Sequence, residues 1–175
     1  MLEKPVLIAY TSVTGSARDT ALEIEQALDR MGVASEAREI ENISRIDGYR
    51  AVIVGSPIRD GEWLPAAVDF VRAHAAELSK VPVFYFLLAM TMHDDTPEHA
   101  QTALGYLKPV RQLLEPVEVG LFPGKFLPQE LPAVAEAHLR QKGFPEGDFR
   151  DWDAVNLWAA RVAGLLKDEQ LAGGI

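Results

Sequence analysis

Hydrophobic positions along this chain follow two kinds of pattern. Some form short unbroken runs, at Val6 to Tyr10, Ala51 to Gly55 ("AVIVG") and Val81 to Ala89 ("VPVFYFLLA"). Alternate side chains of a strand point to opposite faces, so a run apolar at every position fits a strand buried on both sides. Other apolar residues recur every three or four positions. Ala17, Ala21, Ile24, Leu28 and Met31 form one such stripe, with Gly32 beyond it as a stop signal. Leu64, Val68, Val71, Ala75 and Leu78 form a second, and Ala100, Leu104, Leu107 and Leu114 a third, within a helix of about Pro97 to Leu114. Val155, Trp158, Val162 and Leu165 form the last. This spacing predicts amphipathic helices. Ala34 to Ile40 reads as a weaker strand, and "VEVGLF" as the final one.

Strands therefore alternate with helices, which predicts an α/β fold with a doubly wound parallel sheet, helices on both faces and right-handed crossovers. The chain has 175 residues, which suits a single domain, and no internal repeat, low-complexity tract or linker divides it. The irregular part is Pro123 to Asp151, which carries Pro123, Pro128, Pro132 and Pro145 and a short helix predicted over Ala133 to Gln141. It reads as an elaboration after the last strand.

Composition acts mainly by exclusion. A net charge of −9 disfavours nucleic acid, which calls for a basic face, and permits attraction to basic partners. Cysteine is absent, which removes disulfides, thiolate metal sites and cysteine nucleophiles and fits a cytoplasmic protein. No apolar stretch reaches the ~20 residues of a membrane span. The start "MLEKPVLIAY" lacks the charged segment and cleavage site of a signal peptide. No histidine–carboxylate spacing suggests a metal site.

In a doubly wound sheet, ligands sit beyond the carboxyl ends of the strands, where the strand order reverses. Loops leave such ends at "TSVTGS", "SPIRDGEW" and "MTMHDD". The first suits an anion. Unpaired N–H groups at a helix start point outward, the helix dipole adds partial positive charge, and the hydroxyls supply further donors. Capping the helix would need one hydroxyl, and this turn offers several. It has neither G-x-x-x-x-G-K-[ST] nor G-x-G-x-x-G, which argues against a triphosphate or a classical dinucleotide. A phosphorylated receiver would need acidic residues where Tyr10 and Thr11 stand.

Together these loops resemble the flavodoxin-like family. "YTSVTGSA", "GSPIRDGEWLPAAVDFVRAHAAELSKVPVFYF" and the late "GDFRDWDAVNLWA" are similar to the flavodoxin-domain group that includes menaquinone-dependent protoporphyrinogen dehydrogenases. The resemblance implies strand order 2-1-3-4-5 and one non-covalent FMN. It implies that Ser12, Thr14, Gly15 and Ser16 hold the phosphate, with Thr11 and Val13 of the same loop also among the cofactor-binding residues. Ser56, Pro57, Ile58, Arg59, Asp60 and Gly61 would line one side of the flavin ring, and Met90, Thr91, Met92 and His93 the other, with Trp63 a further candidate for contact with the cofactor. Ala17 stands where the group often has threonine, which removes one hydroxyl donor, and Arg18 is the nearest cation that could compensate.

Single residues carry paired readings. Trp63 either covers the flavin or anchors the helix after it. Trp152 and Trp158 are expected in the core. His93 is either a proton-carrying group at the flavin edge or a solvated loop residue. His99 falls in the first turn of its helix, where Asp94, Asp95 and Glu98 complement the dipole. Arg59 beside the ring would favour its reduction, which adds negative charge, and Asp60 would oppose it.

Two functions follow. One is an FMN-dependent oxidoreductase, protoporphyrinogen dehydrogenase-like by resemblance, with a small-molecule substrate and a quinone or other acceptor. Such a protein would be cytoplasmic or peripheral at a membrane. The alternative is a flavodoxin-type electron carrier that meets a redox partner protein and has no substrate of its own. A fold that has lost flavin is the third reading, for which Ala17 is the hint.

Overall fold

The computed structural model describes residues 2–173. In chain order the strands are β1 (Val6–Tyr10), β2 (Ser35–Glu39), β3 (Ala51–Arg59), β4 (Glu62–Trp63), β5 (Val83–Leu88), β6 (Glu118–Phe122), β7 (Lys125–Phe126) and β8 (Gly147–Asp148). The helices are α1 (Ser16–Arg30), α2 (Pro65–Ala73), α3 (Ala75–Leu78), α4 (Pro97–Gly105), α5 (Lys108–Leu113), α6 (Ala133–Gln141) and α7 (Trp152–Gly173). The main sheet runs β2-β1-β3-β5-β6, with every one of these pairs parallel. Without the short β4, this is the expected 2-1-3-4-5 order.

The unbroken apolar runs divide residue by residue between two cores. Val6 and Ile8 of β1, Ile53 of β3, and Phe84 and Phe86 of β5 pack with α1 and α7. Leu7 and Ala9, Val52 and Val54, and Tyr85 and Leu87 pack on the other face with α2, α4 and α5. Period-two geometry makes one apolar run serve both sides. Tyr85 donates its hydroxyl to the Leu114 carbonyl at 2.7 Å, which ties β5 to the end of α5.

Four elements depart from the sequence reading. The helix predicted over Pro97 to Leu114 is two, α4 and α5, and Pro109 lies in the first turn of α5. A proline has no N–H to continue the preceding ladder, but it is well tolerated where a helix begins. The helix predicted from Leu64 to Leu78 also divides, at His74, whose ring lies 4.8 Å from that of Phe70. β3 runs on past Gly55 to Arg59 and folds back as a hairpin with β4, pairing Ile58 with Trp63 and Arg59 with Glu62. Its turn residues Asp60 and Gly61 have φ of 53° and 76°. A two-residue hairpin with positive φ at both positions favours Asp-Gly, so this dipeptide was a readable signal. Finally, Trp152 is not a core residue: it opens α7 at 37% exposure, with the Arg150 guanidinium 5.0 Å over its ring, whereas Trp158 is buried as expected.

The elaboration is ordered. β7 and β8 pair antiparallel and close the excursion that contains α6. Phe126 of β7 is fully buried, yet α6 has no buried residue, and its Val134 is 83% exposed.

Candidate functional site at the carboxyl ends of the strands

The turn after β1 is held open at its base. The Thr11 N–H donates to the Gly55 carbonyl at 3.1 Å, which binds the turn to β3. Gly15, at φ 94°, makes the left-handed step into α1, a backbone region that penalises side chains. Its N–H donates to the Ser12 hydroxyl oxygen at 3.0 Å. Ser12 accepts this bond and keeps its own proton to donate. The first N–H bonded within the helix register is that of Asp19, to the Gly15 carbonyl. Among the described residues, no hydrogen bond takes up the N–H groups of Ser16, Ala17 or Arg18. Val13 and Thr14 are exposed at the tip, while Ser16 and Ala17 are buried. The turn thus presents unspent donors at the positive end of a helix dipole, which is the chemistry an anionic ester needs.

Arg18, the cation nearest to Ala17 in sequence, has its side chain turned to the Tyr10 phenol, near Glu39 and Glu41. Burial pushes that phenol up, Glu39 adds to the rise, and Arg18 opposes it. The Thr11 hydroxyl reaches Glu41 at 3.5 Å.

The second loop is the β3–β4 hairpin. Ser56 is fully buried, and its hydroxyl is spent inside the protein. It donates to the Pro57 carbonyl at 2.7 Å and accepts from the Leu64 N–H at 3.0 Å, which fixes the start of α2. Trp63 is buried and packs edge-on against Tyr85 with ring centroids 4.9 Å apart, so its position fits the anchoring role. Its Nε1 finds no acceptor among the described residues. Arg59, Asp60 and Gly61 form the outer end of the hairpin, with Arg59 and Asp60 exposed.

The third loop is a 3₁₀ turn, Met90–His93. Met92 packs into the core below. The Thr91 and Tyr106 hydroxyls share a hydrogen bond at 2.8 Å. His93 is half-buried and not a freely solvated loop residue. Its Nδ1 meets the Met90 carbonyl at 2.7 Å, which assigns the proton to Nδ1 in the neutral ring and leaves Nε2 as the acceptor. Its ring is flanked by Phe149 at 5.7 Å and Phe144 at 6.2 Å. His99 sits in the first turn of α4, as expected, beneath the Thr96 cap.

Residues 123–151 reach all three loops, a relationship the sequence did not reveal. Arg150 reaches Asp19 in the first turns of α1, Nη1 to Oδ2, at 3.1 Å. His138 of α6 reaches Asp60 at the hairpin tip, Nε2 to Oδ1, at 2.6 Å. Phe144 and Phe149 reach His93. Arg150 is also bound by Asp148, whose carboxyl it holds below the usual carboxylate range through these hydrogen bonds.

A cavity of about 270 Å³ lies against Trp63, Val68, Tyr106 and Val110, and one of about 480 Å³ lies along α4 and α5. Neither reaches the α1 turn or His93. The unspent donors of the α1 turn, rather than either of these cavities, mark the candidate site. Among the described residues no cluster of histidines and carboxylates could hold a metal, and no helix is long and apolar enough to cross a membrane.

Comparison with known proteins agrees with this architecture. Residues 7–140 match the family model described as Flavodoxin domain, and the chain belongs to that family. The chain is 26% identical over 106 residues to the protoporphyrinogen IX dehydrogenase (quinone) of Escherichia coli strain K12. The match covers 58% of this chain and spans 59% of that protein's length. Among solved structures, a flavodoxin from the domain Archaea superposes with a TM-score of 0.56 at 13% identity, over 93% of this chain and 99% of that one. A Fusobacterium nucleatum flavodoxin bound to flavin mononucleotide gives 0.55 at 13% identity, over 91% and 97%. At these identities the structural likeness speaks for the fold.

Proposed function

We propose that this member of the Flavodoxin domain family is an FMN-dependent oxidoreductase acting on a small organic substrate. The observation that carries the reading is the α1 turn. It holds the free N–H groups of Ser16, Ala17 and Arg18 and the Ser12 hydroxyl at the carboxyl edge of the sheet. These donors fit a phosphate ester without a lysine. Family membership and the fusobacterial neighbour solved with flavin mononucleotide support FMN as the group concerned.

When bound, the flavin supplies transfer of two electrons between an organic donor and an acceptor. The chain's own residues do the rest. Ser12, Thr14, Gly15 and Ser16 hold the phosphate end. The hairpin residues Pro57, Ile58, Arg59, Asp60 and Gly61 and the turn residues Met90, Thr91 and His93 border the ring. Ser56 and Met92 act from below, since their side chains are spent in the scaffold. His93 Nε2 is placed to accept a proton from a group bound against it. The segment 123–151 restricts approach to that ground, which favours small reactants over a docking protein. Similarity to the Escherichia coli enzyme supports a porphyrinogen-like substrate and a quinone acceptor.

A second reading is an electron carrier, and the net charge of −9 favours it, since complementary charge speeds encounter with basic redox proteins. Anaerobic reduction of the FMN-loaded protein, followed by visible absorbance, separates the two. A single two-electron step supports the enzyme. A persistent one-electron stage supports the carrier. A protein that takes up no FMN removes both.

A further inference from the structure

We propose that residues 123–151 form a strap that must unfasten for FMN to enter or leave, and that Asp60–His138 and Asp19–Arg150 are its two fasteners. The inference rests on the reading that FMN occupies the carboxyl edge of the sheet, and it adds the control of that site.

The strap is rooted at one place and tethered elsewhere. Its root is the β7–β8 pair with Phe126 fully buried, and the Phe149 N–H adds a bond to the Gly124 carbonyl at 3.1 Å. Beyond the root, α6 has no fully buried residue: Ala135, Glu136 and Leu139 are half-buried, and Arg140 lies 5.7 Å over the Phe126 ring. A helix that buries so little apolar surface has little packing energy to hold it down, so local opening is cheap and need not disturb the sheet.

What holds it are contacts at either side of the site. On the hairpin side, the Asp60 carboxylate takes His138 at 2.6 Å, with Lys142 Nζ at 3.9 Å. On the α1 side, Asp19 takes Arg150 at 3.1 Å, and the Arg150 side chain is only 14% exposed and gripped by Asp148 at 2.7 Å. Between them Phe144 and Phe149 cover His93. The fasteners therefore meet the elements that border the ring and the phosphate, and both pairs join the strap to something outside it.

The balance is poised. Exposed ion pairs contribute little each, so the closed state is favoured by a modest factor and opens without global unfolding. Arg150 is the stronger fastener, since it is shielded and bound on two sides. Releasing either pair shifts the strap toward open.

The test uses the whole chain as His138→Gln, Arg150→Gln and the double variant. These substitutions lie on the strap and leave the α1 turn and the hairpin intact. Hydrogen exchange of the apoprotein is read over residues 133–150, with β1 and β5 as the internal control for folding. Release of FMN is then timed by the return of its fluorescence into excess riboflavin-free buffer. The expected result is faster exchange in 133–150 with β1 and β5 unchanged, and FMN release faster by about threefold for His138→Gln. Arg150→Gln should exceed that, and the double variant should exceed both. Unchanged exchange across 133–150 would overturn the fasteners. A wild type that holds FMN, with variants that release it no faster, would overturn the gate alone. A wild type that holds no FMN would sink the cofactor reading and the gate with it, and that outcome is told apart by the wild-type spectrum.

Discussion

Gly15 donates its backbone N–H to the Ser12 hydroxyl oxygen at 3.0 Å, across the one left-handed step in the turn. This bond shapes the turn and leaves the next N–H groups pointing away from protein acceptors. A Cβ added at position 15 would meet nothing within 4 Å beyond its chain neighbours, so the fault of a side chain there is first conformational: φ is +94°. Gly15→Val should abolish FMN binding and cost about 1–2 kcal/mol of stability, with the far-ultraviolet spectrum retained. Fluorescence titration measures the affinity, and an unchanged value would mean that the phosphate sits elsewhere.

Ser12→Ala removes both the acceptor for Gly15 and one outward donor. A hydrogen bond to a charged group contributes about 1.5–3 kcal/mol, so FMN affinity should fall by at least about tenfold. Calorimetric titration of the apoprotein checks this. Ser12→Thr keeps the hydroxyl and should recover most of the loss.

Gly55 lies under the Phe86 ring, where an added Cβ would stand 1.9 Å from Cζ. Both are in the middle of the sheet, and the Gly55 carbonyl also takes the Thr11 N–H. Gly55→Ala should therefore destabilise the protein by roughly 1–3 kcal/mol, the usual cost of overpacking, and displace the base of the α1 turn. A urea midpoint that does not move would contradict the packing described.

Asp60 is an exposed carboxylate bound by His138 Nε2, with Lys142 Nζ 3.9 Å away. Flavin reduction adds negative charge, so Asp60→Asn should raise the midpoint potential, and His138→Gln should lower it where the imidazole is protonated. Solvent screening keeps both shifts modest. A dye-coupled anaerobic titration reads the sign, and shifts in the same direction for the two variants would exclude this electrostatic link.

The Arg150 guanidinium holds the Asp148 carboxyl below its ordinary range. A folded-state value below the unfolded one stabilises above the unfolded value and is lost as pH falls through the folded value. Protection of residues 147–150 from hydrogen exchange, corrected for intrinsic rate, should stay level from about pH 5 upward and decline below about pH 4. Asp148→Asn should remove that acid dependence.

Local patterns carried most of the architecture. The apolar runs of β1, β3 and β5 and the stripes of α1 and α7 are properties of neighbours in sequence, and burial on two faces demands them wherever the sheet is parallel. The hydroxyl-rich turn was legible for the same reason: its donors belong to consecutive residues. The break before Pro109 and the Asp-Gly hairpin were written locally too, in residues whose backbone preferences are strong, although the apolar spacing around them read as longer elements.

The fate of Ser56, Trp63, Trp152 and His93 was a different matter. Each side chain has two chemically reasonable destinations, and the choice depends on partners distant in the chain: Tyr85 for Trp63, Phe149 for His93, and, for Ser56, the start of a helix. The strap is the extreme case. Asp19 and Arg150 are 131 residues apart, and nothing in either neighbourhood announces the other. Periodicity records which face of an element is apolar. Which residues meet across an open edge follows from loop closure and charge pairing in three dimensions, and that information becomes available once the sheet has brought its carboxyl ends together.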